Sequence, residues 1–126
     1  MTLRNLFIVN AVIALFFGLS FVLAPALTLS LYGVTVSAAG ILLARLLGAT
    51  LLGICVFTWF TKDPEDSKAQ RGIVLGQLVH TAIGFIVLLL GQLAGVVNPL
   101  GWSTVAIYLL LALGYGYFQF VKPTAS

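Results

Sequence analysis

A single histidine, His80, stands in the apolar stretch "RGIVLGQLVHTAIGF", residues 71–85. Imidazole can ligate a metal or haem, relay a proton, or form a hydrogen bond between helices. A metal or haem centre needs further donors at suitable spacing. Here Met1 and Cys55 are the single methionine and cysteine, and no second donor recurs beside His80 at helical spacing. Metal ligation is therefore not expected. Two readings remain: a proton relay, and a neutral histidine joining helices across a glycine-lined contact. The second candidate is Arg45, the one charge in "ILLARLLGATLLG", residues 41–53. Asp63, Glu65 and Asp66 are the only acidic residues and lie together in one polar segment, so no carboxylate stands in any apolar run. This removes a general acid/base pair and the acidic site that a proton-coupled cation exporter needs. Small multidrug transporters are similar in length and helix count, but they use a membrane-embedded Glu that is absent here. The sequence also lacks a glycine-rich phosphate loop and a Ser/His/Asp set, so no catalytic residue is assigned.

The elements that must position these residues follow from composition. Of 126 residues, 61% are hydrophobic and 7% charged, and the mean hydropathy is +1.17. A soluble domain carries about 25% charged residues. Such a chain cannot cover a water-facing surface, so the bilayer is the expected solvent. A spanning helix needs roughly 20 mostly apolar residues. Four runs qualify: 5–24, 38–60, 72–94 and 100–121. They predict a single all-α membrane domain over 1–126, an antiparallel four-transmembrane-helix bundle. Ser37 is placed to cap the second helix. Asp63-Pro64 and Asn98-Pro99 read as cap and first position of the third and fourth, with Glu65 and Asp66 favourable in the third helix's first turn. Lys122-Pro123 reads as the end of the fourth. Between the first two spans, "PALTLSLYG" predicts a short interfacial helix opened by Pro25 and closed by Gly33, with an extended segment as the alternative. Arg4 and "APA" at 24–26 resemble a signal peptide, but the apolar run exceeds the about 7–15 residues of a signal core, and retention as a spanning helix is expected.

Arg4, Lys62, Lys68, Arg71 and Lys122 fall at the two termini and in the middle loop, whereas the other two loops are uncharged. The positive-inside rule then places both termini in the cytoplasm. The basic residues form no patch with interleaved aromatics, so no nucleic-acid partner is expected. Small residues four apart mark helix contacts: Gly40, Ala44 and Gly48, then Ala49 and Gly53, on the second helix; Gly76, His80 and Gly84, then Gly91 and Gly95, on the third; Ala112 and Gly116 on the fourth. Depth along each span sorts the polar residues into two layers. Asn10, Gln77, His80, Tyr115 and Gln119 form an interhelical layer in the inner half. Arg45, Gln92, Asn98 and Tyr108 fall in the outer half.

Arg45 lies about 4 residues, roughly 6 Å, outward of its helix centre. It shares a helical face with Ala38, Ile41, Gly48, Ala49 and Leu52, which predicts that it points into the bundle. Its five donors would then be met by Gln92, Asn98, Tyr108, loop carbonyls or water, forming the floor of an outward-opening pocket for a carbonyl, carboxylate or phosphate oxygen. The alternative is a side chain that snorkels to the headgroups.

The stretches "PALTLSLYGVTVSAAGILLARLLGATLLG", "RGIVLGQLVHTAIGF" and "AIYLLLALGYGYFQFVKP" resemble the small four-helix bacterial membrane proteins of the DoxX-like superfamily, closest to its branches of unknown function. The likeness rests on Arg45 with Gly48 and Gly53 and on glycine-punctuated helices. Where related branches often place an acidic residue before the arginine, this chain has Ala44. The resemblance implies a bacterial inner-membrane protein and an accessory role in a quinone-linked redox complex. Three functions follow as expectations: a non-enzymatic accessory or scaffold subunit acting through helix packing, as a homo-oligomer or in a larger membrane complex; a quinone- or lipid-binding subunit; and a small-molecule transporter. No cofactor is assigned beyond the quinone or lipid of the second. Membrane lipids are partners in all three.

Overall fold

The computed structural model describes residues 2–63 and 67–121, with the Ser67 side chain left out. Helix α1 spans Leu3–Leu23, α2 Pro25–Leu31, α3 Ala38–Phe60, α4 Ser67–Leu93 and α5 Gly101–Gly116; α5 continues as a π-helix over Tyr117–Val121. Four helices, counting α5 with its π-helical end, are long and apolar enough to cross a bilayer. The chain is a small membrane protein with an all-α four-helix fold.

Local chemistry sets the helix ends. Thr2 Oγ1 accepts from the Asn5 amide at 3.1 Å and caps α1. Pro25 occupies the first position of α2, where its missing N–H costs nothing. The Thr28 hydroxyl, on α2, donates to the Ser20 and Ala24 carbonyls at 3.0 and 2.7 Å, which sews α2 back onto α1. Gly33, at φ 74°, closes α2 as expected. Ser37 Oγ accepts from the Gly40 amide and caps α3. Asn98 Oδ1 accepts from the Leu100 amide at 3.1 Å, so it does organise the start of α5, but a turn separates it from the helix at Gly101. The α4 start expected around Pro64, Glu65 and Asp66, and the stop expected at Lys122-Pro123, lie outside the described residues. The helix nonetheless covers Ser67–Leu93, five residues earlier than the apolar run alone suggests.

The helices form two pairs, α1 with α3 and α4 with α5, and the pairs touch each other far less. In the first pair the backbones meet. A methyl built on Gly48 would lie 2.8 Å from the Gly18 carbonyl oxygen and from Val22 Cγ2. One built on Gly18 would meet Leu52 at 2.9 Å. Within the second pair, Gly84 admits the ring of Tyr108. Ala44, Gly48 and Gly84 are therefore contact positions, as expected. Gly53, Gly76 and Gly91 have open space beside them, and Ala49 is exposed.

A single apolar core joins the pairs at one end. It comprises Leu3, Leu6 and Phe7 of α1, Val74 of α4, and Leu111, Tyr115 and Phe118 of the last helix. This is the charged end, where Arg4 Nε bonds Asp63 Oδ1 at 2.9 Å across the α1–α3 pair. Both groups are about half exposed, so the bond contributes little to stability.

The Gly18–Gly48 crossing yields a direct test. Gly48→Leu should destabilise the protein by about 1–3 kcal/mol through overpacking, whereas Gly53→Leu should unfold as the parent does. Unfolding midpoints in detergent under added denaturant check this; equal midpoints for the two variants would refute the crossing.

Candidate functional site

Because the pairs meet mainly at the charged end, they leave a cleft between them over the rest of their length. It has a volume of about 490 Å³ and is open to the surroundings. This is within the range of small-molecule sites. Its walls are Ile13, Ala14, Phe17 and Phe21 of α1, Ala44, Leu47, Leu51 and Ile54 of α3, and Leu88, Ile107 and Leu111 of the second pair. Tyr32 and Val34 stand at the end away from the charges.

The polar residues of the cleft are spread along it: Asn10 and His80 nearest the charged end, then Tyr108 and Thr104, and Tyr32 at the far end. The His80 and Tyr108 rings meet edge to face, with centroids 5.6 Å apart. Gly84, one turn along α4 from His80, is what lets Tyr108 lie there. The Gln77 Nε2 donates to Asn10 Oδ1 at 3.2 Å, a buried bond between α4 and α1. His80 Nδ1 is shielded from solvent and has no hydrogen-bond partner. Tyr115 is fully buried against Phe7, its hydroxyl beside Gln77 but without a well-formed bond. An apolar cleft with these groups can hold a mostly hydrocarbon molecule by one polar head.

Of the inner layer expected from sequence, Asn10, Gln77, His80 and Tyr115 stand together. Gln119 does not join them. It lies on the π-helix at the charged end, near Lys68 and Arg71.

The outer set is not assembled around Arg45. Arg45 is exposed on the outside of α3 and lines neither wall of the cleft. The physical reason is the rotation of α3. Ala44 and Gly48 must face α1 for the backbones to touch, and the next residue after Ala44 stands about 100° further round. The expected pocket floor is therefore not formed, and Arg45 stays on the exposed face of α3. Gln92 and Asn98 are used in the loops. Gln92 Nε2 donates to the Val97 and Asn98 carbonyls at 3.3 and 3.1 Å. Asn98 Nδ2 donates to the Leu31 carbonyl at 3.1 Å, and its backbone amide donates to the Tyr32 carbonyl at 2.9 Å. These bonds clasp the α4–α5 loop to the end of α2, joining the two pairs at the uncharged end. Tyr108 alone of the outer set reaches the cleft, where it belongs with His80. The apolar walls carried no readable signal in sequence, because cleft-facing and lipid-facing leucines look alike.

These features define a small four-helix membrane protein built as two helical pairs around an apolar cleft. The chain belongs to the family described as Domain of unknown function (DUF8292), whose model matches residues 8–123. No curated protein and no solved structure matches it.

The clasp and the arginine make opposite predictions. Asn98→Ala removes the bonds to the Leu31 carbonyl and from the Leu100 amide, both at the exposed end of the bundle, and should cost about 0.5–1.5 kcal/mol. Arg45→Leu should insert and unfold no more easily than the parent. Denaturation in detergent reads both, and a loss for Arg45→Leu as large as that for Asn98→Ala would place the arginine inside the bundle after all.

Proposed function

We propose that this protein binds an amphipathic, largely hydrocarbon molecule, a quinone or a lipid, in the cleft between its helical pairs. The observation that carries this reading is the 490 Å³ apolar cleft, whose few polar wall residues include Asn10, His80 and Tyr108. A bilayer supplies no water that would stably fill such a space, so its natural occupant is a membrane-soluble chain. A carbonyl or hydroxyl on that molecule finds its polar partners among Asn10, His80 and Tyr108 on the cleft wall. Binding is the role this cleft supports; its spans hold no carboxylate pair for general acid/base work.

The accessory-subunit reading is compatible with this one and has its own support. Gly53, Gly76 and Gly91 leave backbone uncovered on the outside of α3 and α4, where another helix could approach closely. A binding subunit in a larger inner-membrane assembly unites both readings and is what the sequence resemblance to the DoxX-like superfamily implies. Its termini face the cytoplasm under the positive-inside rule, because the charges cluster at the end that carries them.

Native mass spectrometry of protein purified in mild detergent tests the binding. One retained quinone or lipid molecule is expected. Leu47→Trp, which fills the cleft, should abolish its retention, and His80→Ala should weaken it about three- to tenfold by removing one hydrogen bond. Parent protein that carries no such molecule, or a Leu47→Trp variant that retains it in full, would refute the assignment.

A further inference from the structure

A second hollow, separate from the cleft, lies at the charged end between the start of α4 and the π-helical end of the chain's last span. Its volume is about 290 Å³, and Lys68, Arg71, Gly72, Leu75 and Gln119 line it. Arg71 and Gly72 each lie three or four residues from both Lys68 and Leu75, so the four share one face of α4. Gly72 has nothing within 4 Å of the position a side chain would take, which leaves the hollow open along the helix backbone. The π-helix places Phe118 in the core and half-buried Gln119 beside the hollow. Lys68 and Arg71 are exposed, and neither forms an ion pair with any described residue. Asp63 is already engaged by Arg4 and lies 3.9 Å from Lys62. Two cations and an amide donor around an open hollow fit the oxygens of a phosphate group.

The surroundings indicate where that phosphate comes from. Beyond Leu75 the same helix presents Val79, Ile83 and Ile86, all more than half exposed. Polar head contacts at the membrane boundary thus lead straight into an apolar strip at bilayer depth. We propose that this hollow is a binding site for the headgroup of an anionic phospholipid, with an acyl chain lying along α4. Lys68 and Arg71 hold the phosphate oxygens, Gln119 donates a further hydrogen bond, and Leu75 meets the first methylenes. A free phosphate would use the same three polar groups but gain nothing from the strip. The site is independent of the cleft and of the function proposed for it.

The test uses the full chain in detergent micelles doped with either phosphatidylglycerol or phosphatidylcholine, with bound lipid counted by native mass spectrometry. Phosphatidylglycerol should be retained in preference to phosphatidylcholine. The double variant Lys68→Gln/Arg71→Gln should lower that retention roughly ten- to thirtyfold, given the strength with which each basic residue attracts an anionic membrane surface. Gln119→Leu should lower it by a smaller factor. Arg45→Gln removes a cation elsewhere in the fold and should change nothing. Millimolar inorganic phosphate should leave the lipid in place. The proposal is overturned if the parent retains both lipids equally, or if the double variant retains phosphatidylglycerol as the parent does. It is also overturned if Arg45→Gln loses the lipid equally, which would make the effect one of net charge. Displacement by inorganic phosphate would overturn the lipid assignment and leave a free-anion site.

Discussion

Hydrocarbon offers two apolar helices no reason to prefer each other over lipid, so the architecture depends on where backbones can touch. In this chain that place is the crossing of Gly18 and Gly48. Each glycine faces the carbonyl oxygen of the other, and a single methyl on either would displace its neighbour. The contact does more than join α1 to α3. It fixes the rotation of α3, which turns Ala44, Leu47 and Leu51 toward the cleft and leaves Arg45 outside. An arginine there carries an insertion cost of about 2.5–3.5 kcal/mol at most, which neighbouring leucines offset at about 0.3–0.6 each. It needs no buried partner because its side chain can reach toward the headgroups.

The union of the two helical pairs follows a different logic. At the charged end they share an apolar core around Phe7 and Tyr115. The Gln77–Asn10 bond adds one buried polar tie a turn further in. Asn98 closes the far end by bonding the Leu31 and Tyr32 carbonyls. Between these ties the pairs stand apart, and the cleft is the result. His80 and Tyr108 meet on its wall because Gly84 removes the side chain that would separate them. The same economy of contact that leaves the cleft open gives a hydrophobic molecule a route to it from the bilayer.

Much of this fold could be read from the chain itself, for identifiable reasons. Spans are legible because bilayer thickness imposes a length. The α2 helix is legible because Pro25 and Gly33 each suit one backbone position. Ala44, Gly48 and Gly84 were recognisable as contact residues, and Asn10, Gln77, His80 and Tyr115 as one layer. Gly18 escaped notice because a lone glycine in α1 forms no repeating pattern. Arg45 was misplaced because a helical wheel groups Gly48 with Ala49, while only the partner helix decides which of them is covered. Gln92 and Asn98 look like ligand-binding residues in a list of polar side chains, but loops in a membrane protein need those same groups for their own carbonyls. Cleft walls were illegible, since the residues that line a cavity and those that face lipid are both leucine and isoleucine.

The account stands on the claim that the cleft admits a membrane-soluble chain. Tryptophan quenching measures this most directly. Trp59 and Trp102 are the two native tryptophans. With both replaced by Phe and a single Trp placed at Phe17, a cleft-wall position that is already aromatic, the protein is reconstituted in lipid brominated at mid-chain. Quenching comparable to that of a Trp at Leu46, which faces outward, is expected. A Trp at Phe17 that stays as unquenched as one at Phe7 in the core would contradict lipid access to the cleft.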